Sequence, residues 1–260
     1  MRRPTRGVRR NPLVKTVAKL CRQYLKWFGN ASYKSEHNGE RWLIERLRSE
    51  RFATLLDLGA NVGKWATLAA AAFPQATIYA CEIVPATFSK LREATAPYPN
   101  VRPVLTGFAD RGGSMPIHYD PSASAHATYT DYPRSWVGET IDCAVTTGDA
   151  FLAEHRIDTV DFLKIDVEGA EHLVLQGLVT ALADRRIRFV QFEYGWVNVL
   201  THFLLKDFYD LFARSGYVVG KIYPDYVEFR DYELRDEDFL GPNYLACRRE
   251  EPLLGSLRGS

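Results

Sequence analysis

The chain has 260 residues, 46% hydrophobic and 25% charged, with a formal net charge of +1. That composition fits a globular protein with a sizeable core and excludes disordered, fibrous and disulfide-framework classes. The near-neutral total conceals an asymmetry: residues 1–35 carry ten Lys or Arg and no acid, which leaves the rest at −9, a poor surface for wrapping nucleic acid.

Residues 1–12 place Pro4, Gly7 and Pro12 among arginines and read as an arm, and Pro12 suits the first turn of a helix. From there Leu13, Val17, Leu20, Tyr24 and Phe28 recur at helical spacing. Val14, Cys21, Leu25 and Trp27 widen the stripe, while Lys15, Lys19, Arg22 and Lys26 occupy much of the remaining surface. Three readings of this basic amphipathic helix stay open: docking on the domain, peripheral contact with an anionic membrane through residues 13–28, or contact with a partner protein. No run approaches the ~18–20 apolar residues of a membrane span. The N-terminus lacks the apolar core and small-residue cleavage site of a signal peptide, so the expected location is the cytoplasm or the inner face of its membrane. Cys21, Cys81, Cys143 and Cys247 are far apart and form no C-x-x-C pair, which fits free thiols rather than zinc ligands or disulfides.

A second helix is expected over 37–50, carrying Trp42, Leu43, Ile44 and Leu47. After it, strand-like runs at 54–58, 77–83, 101–105, 161–167, 188–194, 217–223 and 244–247 alternate with helical stretches at 63–73, 85–95, 170–182 and 201–214. Such alternation implies an α/β fold with a mainly parallel sheet and helices on both faces. Residues 114–120 and 141–147 read as an extra strand pair. Between them lies a polar, aromatic segment with Ser122, Ser124, His126, Tyr129, Tyr132 and Trp136. A second excursion covers 223–243. The expected division is a basic arm with N-terminal helices over 1–50, one catalytic domain over 51–250, and a tail over 251–260.

Ligands of open α/β sheets bind outside the carboxyl ends of the strands, at the switch point. The first strand runs there into Asp57-Leu58-Gly59-Ala60-Asn61-Val62-Gly63, which departs from the G-x-G-x-x-G dinucleotide fingerprint by one glycine and a preceding acid. Such an acid repels phosphates and welcomes a cationic amino-acid moiety. Glu82 ends the second strand, where an acid can take both hydroxyls of a ribose. Gly107 to Asp110 follow the third, where an adenine can sit. The fourth strand carries the block Asp161-Phe162-Leu163-Lys164-Ile165-Asp166-Val167-Glu168-Gly169-Ala170-Glu171. Burying carboxylates costs several kcal/mol unless they are paired or used, so this density of acids points to a site, although Glu171 also suits a helix start.

D-L-G-A-N-V-G at 57–63, C-E-I-V-P at 81–85 and D-F-L-K-I-D-V-E-G-A-E at 161–171 resemble, in order, the FkbM-type family of S-adenosylmethionine-dependent methyltransferases. The resemblance implies a class I, Rossmann-like, mostly parallel seven-stranded sheet with one antiparallel strand, here 244–247, inserted at the edge. It also implies O-methylation, often of a sugar hydroxyl in a glycan, glycolipid or natural product. Ile83 stands where the family often has proline. The candidate donor-site residues are Asp57, Gly59, Ala60, Asn61, Gly63, Glu82, Ile83, Asp110 and Asp166. Methyl transfer to a poor nucleophile calls for alignment and a general base. Asp166 is the first candidate base, followed by Glu168, Glu193 and His126. A divalent cation on Asp166 and Glu193 is the less favoured arrangement, since no metal-ligand spacing demands it. His172 reads as an ordinary helix-start residue and Lys164 as an ion-pair partner of Asp161, Asp166 or Glu171. Trp136, Tyr194 and Trp196 are candidates to stack on a sugar. Two other readings are a nucleotide-dependent oxidoreductase and a membrane-docked, non-catalytic accessory protein of glycan assembly.

Overall fold

The computed structural model describes residues 6–120, 123–130 and 138–259, with the side chains of 123–126 outside that description. The chain opens with α1 (Arg6–Arg10) and α2 (Pro12–Phe28), where Asn11 caps by accepting from the Leu13 amide and Pro12 occupies the first turn. None of the residues of α2 is buried, and its contact with the domain is at its C-terminal end, where Leu25 and Phe28 line a second cavity with Leu205, Tyr209 and Leu240. Then α3 (Glu40–Leu47) buries Leu43, Ile44 and Leu47 in the same core as Leu55, Phe162, Phe189 and Leu257. The expected divisions at 50 and 250 therefore do not coincide with the packing, because apolar residues on both sides of them complete one core.

The α/β alternation follows as β1 (Thr54–Leu58), α4 (Lys64–Ala72), β2 (Thr77–Glu82), α5 (Pro85–Thr95) and β3 (Val101–Leu105). Next come β4 (Gly107–Phe108), β5 (Gly113–Asp120), β6 (Ala123–Thr128), β7 (Glu139–Thr146) and α6 (Gly148–Glu154). The C-terminal half holds β8 (Val160–Ile165), α7 (Glu171–Gln176), α8 (Val179–Ala183), β9 (Ile187–Glu193), α9 (Asn198–Thr201) and α10 (Leu205–Arg214). It closes with β10 (Tyr217–Ile222), β11 (Val227–Phe229), β12 (Asn243–Arg248) and α11 (Leu254–Leu257). The main sheet runs β11-β10-β12-β9-β8-β1-β2-β3. Strands β3, β2, β1, β8 and β9 are parallel; strand β12 is antiparallel to both β9 and β10.

Two expectations about this sheet are corrected. It has eight strands rather than seven, because Val227–Phe229 within the second excursion pairs antiparallel with β10. Strand β12 is not at the edge but between β9 and β10, where its residues Tyr244 to Cys247 are buried on both faces. The single helix expected over 170–182 is broken at Gly177. A Cβ there would stand 2.2 Å from the Ala109 carbonyl oxygen, and the Asp149 carboxylate accepts from the Thr180 and Ala181 amides to start a new helix.

The extra strand pair forms as β5 and β7 and extends into a second, four-stranded sheet ordered β4-β7-β5-β6. Strand β6 falls inside the segment read from sequence as a polar loop. Its small and polar residues carry little period-2 signal, and pairing with β5 supplies what pattern does not. This sheet packs Ile117 and Cys143, with Met115 and Tyr129, against Ile83 and Val84 at the start of α5.

Candidate functional site

Strand order reverses between β1 and β8, so their carboxyl ends diverge there and leave a crevice. Gly59 follows β1 with φ +82°, and a Cβ on it would lie 1.8 Å from the carbonyl oxygen of Asp166, which follows β8. Only glycine permits this approach. The Gly59 and Ala60 amides both donate to the Cys81 carbonyl, which braces the turn on the end of β2.

The crevice opens into a cavity of 510 Å³, within the range of small-molecule sites, with the four-stranded sheet as its roof. On one side stand Gly59, Asn61, Glu82, Ile83, Gly107 and Phe108; on the other stand Asp166, Val167, Glu168, Glu193, Trp196 and Tyr33. Met115, Ile117, Ala127, Thr128 and Tyr129 close the top. Asn61, at φ +48°, leaves its Oδ1 buried with no partner among the described residues, an acceptor available to a ligand donor.

Glu82 is buried, and its two oxygens accept from the Asn61 and Val84 amides at 2.9 Å each. A carboxylate offers about four lone-pair sites, so acceptor capacity remains for two hydroxyls. Burial raises the Glu82 carboxyl above its ordinary value, and the backbone donors oppose that rise.

Asp57 does not reach the cavity. It is fully buried one residue before the strand end, in register with Lys164 on β8, whose ammonium is 3.7 Å from Asp57 Oδ1 and 2.7 Å from Asp166 Oδ2. Burial pushes the Asp57 carboxyl up to about 7 although Lys164 works against it. Burial alone would lower the Lys164 ammonium, but Asp166, Asp57 and Glu40 together carry it above the ordinary lysine value. Lys164 thus pairs with Asp166, as one reading expected, and with Asp57, which none did. Asp161 instead accepts from the Ala53 and Thr54 amides and pins the start of β1.

Asp166 keeps 30% of its side chain exposed, toward the cavity. Glu168 sits at φ +50°, its carbonyl held by the Thr128 hydroxyl at 2.7 Å. Burial, followed by the neighbouring Asp166 and Glu171, pushes the Glu168 carboxyl up to about 8. Burial likewise drives Glu193 well up, with Asp166 and Glu168 adding to it. Glu171 is absent from the wall: its Oε1 accepts from the Val167 and Gly169 amides and shapes the turn. This side of the cavity therefore gathers three carboxyl groups near the buried Lys164 ammonium, and burial disfavours the charged forms of Glu168 and Glu193.

Seven of the donor-site and base candidates named from the sequence thus meet in one cavity: Gly59, Asn61, Glu82, Ile83, Asp166, Glu168 and Glu193. Ala60 and Gly63 shape the turn without lining it, and Gly63 lies at φ +84° where a Cβ would stand 2.9 Å from Leu91 Cδ1. Asp110 is also outside the wall, exposed and 3.6 Å from the Arg111 guanidinium. The His126 side chain, Ser122, Tyr132 and Trp136 lie outside the described residues. Trp196 lines the cavity, but Tyr194 cannot stack on a sugar: it is fully buried, packs on Phe239 and donates its hydroxyl to Glu237. His172 packs on Phe203, 3.4 Å from the Tyr129 hydroxyl, outside the wall, and burial lowers it. Sequence reading did not assign Tyr33, Met115 and Ile117 to the site: Met115 and Ile117 lie in an expected strand, but nothing in the sequence places that strand over the crevice. No group of three or more metal-ligating side chains could hold an ion among the described residues.

The family model described as the methyltransferase FkbM domain matches residues 57–219. A hexuronic acid methyltransferase, AglP, of Haloferax volcanii is 27% identical over 163 residues, covering 62% of this chain and 64% of that protein. The methyltransferase sdnD of Sordaria araneosa is 26% identical over 176 residues, 56% of this chain and 67% of that one. The chain thus spans about two thirds of the length of these relatives. Among solved structures, a methyltransferase FkbM from Methylobacillus flagellatus superposes with a TM-score of 0.46 at 15% identity, over 75% of this chain and 44% of that one.

Proposed function

The chain belongs to the FkbM methyltransferase family, and on that premise we propose that it methylates a sugar hydroxyl with S-adenosylmethionine as donor. The observation that carries this reading is the joining of Glu82, the Gly59 turn and Asn61 to an acid-lined wall of Asp166, Glu168 and Glu193 in a single cavity. The donor residues fit the group: a ribose-side carboxylate with spare acceptor capacity, a buried orphan oxygen on Asn61, and Ile83 and Phe108 as apolar contacts for a base. When bound, S-adenosylmethionine supplies an electrophilic methyl on a sulfonium. The chain's own residues then do the rest. Lys164 fixes the Asp166 carboxylate at the mouth of β8, where its second oxygen takes the proton of the acceptor hydroxyl. Glu168 and Glu193 accept hydrogen bonds from neighbouring hydroxyls, and Trp196 offers an aromatic face for the sugar ring. The four-stranded roof excludes water, and alignment of hydroxyl with methyl contributes several kcal/mol.

The sugar assignment is supported by the polar acceptor wall and by the sugar-acid substrate in the name of the Haloferax relative. Its test is radiolabelled methyl transfer from S-adenosylmethionine into fractionated cell extract. Label in a glycan or glycolipid fraction, lost with Asp166→Asn, supports the reading; label confined to protein or nucleic acid contradicts it.

A further inference from the structure

We propose that α2 is a membrane-surface helix that lies in the headgroup region of an anionic bilayer. The helix is fully formed and capped, yet none of its residues is buried: Leu13, Leu20, Trp27 and Phe28 are 76%, 63%, 77% and 66% exposed. At ~100° per residue, Leu13, Val17, Leu20, Tyr24 and Phe28 fall on one side, flanked by Val14, Cys21, Leu25 and Trp27, and cover about half the circumference. Lys15, Lys19, Arg22 and Lys26 gather on the opposite side, and neither α1 nor α2 contains an acid.

A continuous exposed apolar face of this size needs a cover. Charge complementarity selects it. Two copies of the helix packed face to face would cover the apolar stripe but leave the cations on both outer faces unmatched, whereas an anionic bilayer receives the apolar face in its acyl boundary and also satisfies the cations with headgroup phosphates. The helix lies on the membrane rather than across it: its 17 residues span only ~26 Å, and no helix among the described residues is long and apolar enough to cross.

The helix is also fixed to the catalytic domain rather than tethered. Just beyond it, the buried Asn30 side chain donates to the carbonyls of Asn38 and Ile222, the latter at the end of β10. Three residues later Tyr33 stands in the wall of the cavity. A bilayer under α2 therefore lies close to the cavity mouth, in position to present an acceptor carried on a lipid.

The test is flotation of the full chain with phosphatidylcholine vesicles, with and without phosphatidylserine. Binding is expected to be at least ~10-fold stronger to the anionic vesicles and to weaken with salt. Val17→Glu with Leu20→Glu should abolish it, and reversing Lys15, Lys19, Arg22 and Lys26 to Glu should remove the preference for phosphatidylserine. Neither variant should shift the melting midpoint, because these side chains pack on nothing. Absence of flotation by the folded chain would overturn the proposal, as would equal binding to both vesicle types. A concentration-dependent dimer dispersed by Val17→Glu/Leu20→Glu, without flotation, would assign the face to a second copy instead. These readouts are independent of methyl transfer.

Discussion

At the scale of single residues, the site depends on carboxyl groups whose ionisation the fold opposes. Asp57, Glu168 and Glu171 are lifted to about 7, 8 and 7 from 3.8, 4.5 and 4.5 in an unstructured chain, in each case chiefly by burial. A group whose folded value is raised stabilises fully below its unfolded value, and that contribution is lost as pH rises through the folded value. The ligand-free melting midpoint should therefore fall between pH 5 and pH 8, and Glu168→Gln should flatten the fall in a calorimetric pH series. Lys164 is the counterweight. Lys164→Met strands Asp57 and Asp166 without their ammonium and should destabilise by ~3–5 kcal/mol in denaturant titrations, whereas adding Asp57→Asn should recover part of that loss. Sequence showed that Lys164 would pair with a nearby acid. It did not show Asp57 as the second partner, because that contact requires the parallel register Asp57 to Lys164 between strands more than a hundred residues apart.

At the scale of elements, close approach of backbones decides where the site residues go. Gly59→Ala would drive a Cβ into the Asp166 carbonyl and place alanine at φ +82°, so it should cost at least ~2 kcal/mol and weaken donor binding together with stability. Gly177→Ala acts at a distance: its Cβ would press on Ala109, next to Phe108 in the cavity wall, so KM for the donor should rise while kcat changes little. The parallel strands and the turn after β1 were legible because buried strands read as apolar runs and the turn needs glycine. The roof was legible only in part. Strands β5 and β7 carry alternating residues, but β6 takes its form from pairing, and so Ile117 and Met115 could not be placed against Ile83 from sequence. The break between α7 and α8 was likewise hidden, since the group that forbids a side chain at Gly177 belongs to a distant loop.

For the whole molecule, the chain divides between a helix that touches the body near its C-terminal end, where Leu25 and Phe28 face Leu205, Tyr209 and Leu240, and a body built around the crevice. Buried polar contacts mark the joint: Glu40 accepts from Asn38 and Gln191, and Gln191 also donates to Asn243, tying the segment after α2 to β9 and β12. Removing residues 1–28 should therefore leave the melting midpoint nearly unchanged, whereas removing residues 1–47 strips Leu43, Ile44 and Leu47 from the core and should prevent folding. The measurement that bears most directly on the proposed methyl-donor cavity is calorimetric titration with S-adenosylmethionine. Micromolar binding is expected, weakened at least ~10-fold by Glu82→Ala, which loses two charge-assisted contacts, and little affected by Asp166→Asn. Absence of binding by the folded protein, or equal affinity in Glu82→Ala, would contradict the account.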